Sequence, residues 1–276
     1  MDGPTANVLI AISLIIGTPY FLVFGSLSDK IGRKPIIMTG CLLEMLTYFP
    51  LFHALTDYAN PKLAAAISKS PVKVEAPAGD CNLILNLTGT AKFTTACDLS
   101  RTFLANSGVN YDKTEVASAT VATVKVGDKA IAGYAGTQPN AKEEKVRFEK
   151  EVRAALTEAG YPAKADPIPA GSKNWWIIIL IPSIMVLYVI MVYGPIAAML
   201  VEFFPTKIRY TSMSLRYHIG NGWFGGFMPA IAFSIVAAQG NIYSGLWYPI
   251  IIASMTFVIG VLFVKETKDV DIYADD

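Results

Sequence analysis

Asp29, Lys30, Arg33 and Lys34 bring one carboxylate and three cations together in six residues, with Gly25 and Gly32 beside them. The apolar stretches 8–24 and 35–55 flank this cluster. Each approaches the ~20 apolar residues that an α-helix needs to span a bilayer. The ten residues 25–34 between them are too few for a domain, so the two stretches read as a helical hairpin with charges at its tip. Taken by themselves, the cations fix which side of a membrane the turn faces.

Three more ionisable groups lie inside apolar stretches. At mid-helix such a group costs about 2.5–3.5 kcal/mol on insertion scales, so each calls for a reason. Glu44 is either a proton-carrying carboxylate or a group kept protonated or paired on a peripheral helix. Arg216 either binds an anion or snorkels to the interface. His218 is either a proton relay titrating near neutral pH or an ordinary hydrogen-bonded residue. The other histidine, His53, falls at a membrane edge. Gly220-Asn221-Gly222-Trp223-Phe224-Gly225 has the glycine spacing of a dinucleotide fingerprint, but no strand precedes it and its setting is an apolar span. Gly222 and Gly226 suit close helix packing or a flexible helix. Gly194-Pro195 marks a kink or broken turn.

The elements that must position these groups are membrane helices. Of the 276 residues, 53% are hydrophobic and 16% charged, a balance too apolar for a soluble protein of this size. Five spans can be drawn, at 6–24, 35–55, 175–203, 212–238 and 243–264. The expected fold is a mainly α membrane protein with a small inserted α+β domain. Residues 1–55 hold two spans, 56–173 form the polar domain, and 174–276 hold three spans and a short tail. Lys30, Arg33, Lys34, Lys207, Arg209, Lys265 and Lys268 fall on one side, while residues 1–5 and 239–241 carry no Lys or Arg. The positive-inside rule then makes the signature turn and C-terminus cytoplasmic, and the N-terminus and residues 56–173 external. The first span lacks the basic leader of a cleavable signal peptide. A net charge of +1 gives no pointer to nucleic acid.

Residues 25–34 follow the spacing G-x-L-[SA]-D-[KR]-x-G-R-[KR] and resemble the signature loop of the major facilitator superfamily of secondary transporters. A second stretch narrows the resemblance. Tyr193-Gly194-Pro195 leads into Val201-Glu202-Phe203-Phe204-Pro205-Thr206-Lys207-Ile208-Arg209-Tyr210, then Tyr217-His218-Ile219-Gly220-Asn221-Gly222-Trp223. This turn and the glycine-rich helix after it are similar to the metabolite:proton symporters of that superfamily. The tail, residues 265–272, looks like the end of their last helix. Members carry organic acids, betaines or shikimate-like compounds.

The resemblance implies helices 8 to 12 of a twelve-helix transporter, hence an incomplete C-terminal half whose N-terminal half or partner chain lies elsewhere. It covers the membrane segments but not the inserted domain. It implies a conformational latch, with Asp29 facing a helix end in the opposite half, Arg33 holding that carboxylate, and Lys30 and Lys34 alongside. It places Tyr20, Tyr193, Asn221 and Trp223 on cavity-lining helices, where substrate contact competes with helix packing and interfacial anchoring. Glu44, Arg216 and His218 join them as candidates for the solute and proton pathway. The ligand implied is a small organic acid or zwitterion, the coupling ion a proton, and the setting a bacterial inner membrane. No other cofactor, metal or enzymatic activity is implied.

Within residues 56–173, stretches 83–87, 92–95 and 121–126 read as strands and 141–159 as an amphipathic helix. Pro162, Pro167 and Pro169 stiffen the return to the membrane. Cys81 and Cys97 share an external compartment where disulfides persist, and a bridge closing that loop contributes about 3 kcal/mol. Cys41 sits in a span and packs. Asn86-Leu87-Thr88 has the form of a glycosylation acceptor, discounted because the resemblance is mostly bacterial. A second reading of the whole chain is a membrane-anchored sensor or binding protein. An anchor needs neither a latch loop nor a glycine-rich helix, which favours transport.

Overall fold

The computed structural model describes residues 3–85, 92–117, 119–163 and 166–272. In chain order the elements are α1 (Gly3–Gly17), α2 (Tyr20–Ile31), α3 (Arg33–Ala59), α4 (Pro61–Lys69), β1 (Val72–Ala76), α5 (Ala96–Asn106) and β2 (Tyr111–Glu115). They continue as β3 (Thr123–Val126), β4 (Lys129–Ala132), α6 (Ala141–Glu158), α7 (Lys173–Phe203), α8 (Thr206–Tyr217), a π-helical stretch His218–Gly225, α9 (Met228–Gln239) and α10 (Trp247–Phe263). Among the described residues, five helical stretches are long and apolar enough to cross a membrane: Gly3–Ile31, Arg33–Ala59, Lys173–Phe203, Thr206–Gln239 and Ser244–Phe263. Only 6% to 33% of each one's most apolar window is buried within the chain, so their remaining faces meet lipid or further protein. This is an integral membrane protein with a small sheet.

The chain divides into two compact units. One comprises residues 1–59, 167–228 and 248–276; the other comprises 60–166 and 229–247. The second unit therefore differs from a single insertion at 56–173, because it also takes in residues 229–247.

In the helical unit α7 is the central element. Gly40 of α3 lies against it closely enough that a Cβ would stand 3.1 Å from the Tyr188 carbonyl, so glycine allows the helices to approach. Ile37, Met38, Cys41 and Met199 fill that seam. Leu9, Ile178 and Ile179 form a second cluster where α1 meets α7. Helix α7 continues unbroken through Pro182 and Pro195. A Cβ on Gly194 would make only ordinary contact, at 3.7 Å, with the Gly25 backbone of α2. Helical irregularities lie at Thr18-Pro19 between α1 and α2 and in the π-helical stretch His218–Gly225.

The other unit is built on a four-stranded sheet of order β2-β1-β3-β4. β1 and β2 are parallel, joined by a crossover through α5, and the remaining pairs are antiparallel. The alternation of β1 sends Val72, Val74 and Ala76 inward and leaves Lys73 exposed. These residues pack with Leu104 of α5 and Phe148, Val152, Ala155 and Leu156 of α6. Gly127-Asp128 makes the two-residue turn between β3 and β4, with Gly127 at φ 59°. Helix α6 matches the amphipathic pattern read at 141–159, and β3 lies within 121–126. The strand readings at 83–85 and 92–95 are corrected: those residues are irregular, and Thr95 instead caps α5 by accepting from the Asp98 N–H. Residues 86 and 87 and the acceptor Asn86-Leu87-Thr88 lie outside the described residues.

Candidate functional site

At one end of the helical unit, Arg33 is the hub of a charge network. Its side chain is 9% exposed and lies between the carboxylates of Asp29, four residues earlier, and Glu202 at the end of α7. It reaches Glu202 Oε1 through its Nε at 3.3 Å and Nη2 at 3.0 Å, and donates from Nη1 to Ser28 Oγ at 2.9 Å. Ser28 in turn donates to the Gly25 carbonyl at 2.7 Å. The second oxygen of Glu202 accepts from Thr267 Oγ1 at 2.6 Å. One arginine thus ties α2, α3, α7 and the tail through a chain of charge-assisted bonds.

Glu266 completes the network from the tail. Its carboxylate accepts from the N–H groups of Arg33 (2.8 Å) and Lys34 (3.0 Å), the first residues of α3. It also accepts from the N–H groups of Thr267 and Lys268. A carboxylate at a helix N-terminus satisfies orphan donors and complements the dipole. Burial pushes Glu266 up, but the four backbone N–H bonds outweigh it and hold the carboxyl below its usual value. Gly32 is required here on two counts. Its φ is 111°, and a Cβ would run into the Glu266 carboxylate. Lys34 Nζ donates to the Val261 carbonyl at 2.9 Å, and Lys268 Nζ to the Lys30 carbonyl at 3.1 Å. Asp29 itself is 66% exposed.

A cavity of about 560 Å³ opens between α3, α7, α8 with the π-helical stretch, and α10. Its polar lining comes from Tyr193, Arg216, Tyr217 and Asn221, and residues such as Met199 and Met255 supply an apolar wall. The Tyr193 hydroxyl donates to Asn221 Oδ1 at 3.0 Å. Arg216 makes no ion pair among the described residues. The structure therefore brings three of the sequence-derived pathway residues together: Tyr193, Arg216 and Asn221.

The other four lie off this cavity. Tyr20 stacks on Phe24, with centroids 6.3 Å apart. Glu44 lies one turn from Tyr48 along α3, away from this cavity's lining. His218 Nδ1 pairs with the Ser214 carbonyl at 2.8 Å, a bond within its own helix. Trp223 is 67% exposed. Gly222 has open space around it, and the nearest neighbour of Gly226 is the Gly222 carbonyl of its own turn, so no second helix packs on that pair among the described residues.

In the α/β unit, Cys81 and Cys97 form a disulfide, with Cα atoms 5.2 Å apart. Beside it Asp98, 1% exposed at its side chain, accepts from the Asn82 backbone and side chain, both at 2.8 Å. Arg101 stands 3.7 Å from Asp98 and donates to the Asn82 carbonyl (2.9 Å) and the Ala237 carbonyl near the end of α9 (2.8 Å). The Tyr111 hydroxyl donates to the same Ala237 carbonyl at 2.5 Å. Burial pushes that hydroxyl up and keeps it a donor. No group of three His, Cys, Asp or Glu side chains is placed to hold a metal among the described residues.

The sequence reasoning missed Ser28, Glu202, Glu266 and Thr267 as network members. Glu202 and the Lys265-Glu266-Thr267-Lys268 tail stood in the stretches that carried the family resemblance, but spacing alone could not show which carboxylate meets Arg33. It also missed Arg101 and Asp98, whose (i, i+3) spacing looks like any solvated helical pair.

Two curated proteins of Haemophilus influenzae, each named "Putative metabolite transport protein", are similar to part of this chain. One is 40% identical over 82 residues, covering 30% of this chain and 18% of the relative. The other is 39% identical over 78 residues, covering 28% and 17%. The similarity is to metabolite transporters. It spans less than a fifth of either relative's length. No family model matches the chain, and no solved structure matches it.

Proposed function

We propose that this chain is part of a major-facilitator-type transporter that moves a small organic acid or zwitterion across a bacterial inner membrane by alternating access, with a proton as coupling ion. The cavity at Arg216 carries this reading. A guanidinium without a carboxylate partner among the described residues, beside a tyrosine–asparagine pair and apolar walls, has the makings of a site for a carboxylate-bearing solute. Glu44 is the carboxylate in the spans suited to proton carriage. The network around Arg33 is suited to lock one end of the bundle, opening and re-forming as the transporter rocks against a facing bundle. In this reading the Asp29 turn and the tail are cytoplasmic, and residues 60–166 lie outside. The partial likeness to metabolite transport proteins agrees with it.

The test is counterflow in proteoliposomes, using the protein at its natural length from its source membrane and a panel of radiolabelled carboxylates and betaine. At least one should accumulate, and Arg216→Gln should abolish uptake of the carboxylate. Accumulation confined to neutral sugars, or carboxylate uptake indifferent to Arg216→Gln, would overturn the reading.

A further inference from the structure

A second cavity, about 460 Å³, lies wholly within the α/β unit, between α5 and α6. Its size falls in the range of small-molecule pockets. Leu99, Phe103, Phe148 and Leu156 give it an apolar body. The Phe103 and Phe148 rings meet edge to face, with centroids 5.8 Å apart, and Tyr134 tilts against Phe148 at the same distance.

Arg153 places its guanidinium 5.1 Å above the Phe103 ring and forms no ion pair among the described residues. The neighbouring Lys145 and Glu149 are paired to one another at 3.7 Å, so the positive charge that remains is that of Arg153. Tyr134 is 7% exposed and lines the cavity, yet its hydroxyl donates to no protein group among the described residues. Burial, then the Glu149 charge, keeps that hydroxyl protonated and able to donate.

We infer that this cavity binds a small organic carboxylate with an aromatic or aliphatic body, its ring in the Phe103–Phe148–Tyr134 corner and its carboxylate against Arg153. An arginine fixed over an aromatic face is pre-organised for a planar anion, and a flat apolar body displaces water from the corner. The site is separate from the cavity at Arg216 and does not depend on transport. The α/β unit would then be a receptor for carboxylates in its own right.

The experiment is calorimetric titration of the full chain in lipid nanodiscs with benzoate, cyclohexanecarboxylate and the neutral analogue benzamide. Benzoate should bind saturably with a dissociation constant on the order of 1 mM or tighter. Benzamide should bind at least about tenfold more weakly, and Arg153→Gln should weaken benzoate about tenfold, as loss of a charge-assisted contact does. Arg153→Lys should recover part of the loss. Glu149→Gln should tighten benzoate by removing a like charge, and Arg216→Gln should leave it unchanged. Absence of saturable binding, equal binding of benzamide, or benzoate binding lost in Arg216→Gln but kept in Arg153→Gln would overturn the assignment. Retention of the Cys81–Cys97 disulfide and of the thermal midpoint confirms that each variant is folded.

Discussion

Each unit of this protein buries an arginine against carboxylates and a helix end, and the two sites are built to opposite specifications. Arg33 meets Asp29 and Glu202, carboxylates on different helices, one of them 66% exposed. Arg101 meets an aspartate that is 1% exposed and two backbone carbonyls, beside a disulfide. Carbonyl acceptors on packed elements have no alternative position, and water does not reach Asp98 to replace a lost partner. At Arg33 the partners are side chains, Glu202 11% exposed and Asp29 66% exposed, so the Asp29 contact can release and re-form at modest cost. The Arg101 arrangement suits a fastener that stays closed; the Arg33 arrangement suits a latch.

The contrast breaks most visibly at Arg101. Arg101→Ala strands a buried carboxylate and should cost the α/β unit about 3–5 kcal/mol. Thermal unfolding with limited proteolysis reads this directly, and a loss under about 1 kcal/mol would mean that the site is solvated. Opening the Cys81–Cys97 bridge by a paired alanine substitution should cost about 3 kcal/mol and free the 16-residue loop. Hydrogen exchange should then rise at Asn82 and Asp98 and stay unchanged at Arg33.

On the latch side the effects are smaller. Glu202→Gln removes one charge-assisted partner of Arg33 and should cost about 1.5–3 kcal/mol. Asp29→Asn touches an exposed pair and should cost at most about 1 kcal/mol, yet lower uptake by the natural-length protein. Unchanged uptake at equal expression would argue against a gating role for this turn. Glu266 gives the pH arm. Its carboxyl is held below the usual value, so its stabilisation is fully present above the unfolded value of about 4.3 and is lost as pH falls through the lower folded value. Protection of the Arg33 and Lys34 amides, the intrinsic exchange rate relative to the observed rate at each pH, should therefore fall below about pH 4 and stay flat between pH 5 and 8; a fall already at pH 6 would assign the effect to another group.

The spans were legible because twenty-residue apolar stretches are a length signal that bilayers impose. The amphipathic helix α6 was legible for the same kind of reason, since its period repeats over many residues. The short strands were not. Leu83–Leu85 look apolar enough for a strand but are irregular, whereas β2, Tyr111–Glu115, has one inward residue and four exposed ones, which reads as loop. Its place is set by parallel pairing with β1, a long-range fact. Site residues followed the same rule. Tyr193 and Asn221 were picked through the family resemblance and Arg216 as an ionisable group in a span, and they line one cavity, whereas Tyr20 and Trp223, picked through the same resemblance, lie off it. His218 was picked by its chemistry, and the backbone carbonyl of Ser214 takes its ring nitrogen. Glu266 was invisible because its partners are backbone N–H groups more than 230 residues away.

Gly240 shows how firmly the α/β unit depends on a piece of chain far from its own sequence. Its φ is 73°, its carbonyl accepts from the Tyr111 N–H at 2.7 Å, and a Cβ there would overlap the Tyr111 carbonyl. Residues 229–247 thus complete the unit that residues 60–166 begin. Anyone wishing to transplant this α/β unit into another membrane protein, or to express it alone, would have to graft two segments rather than one.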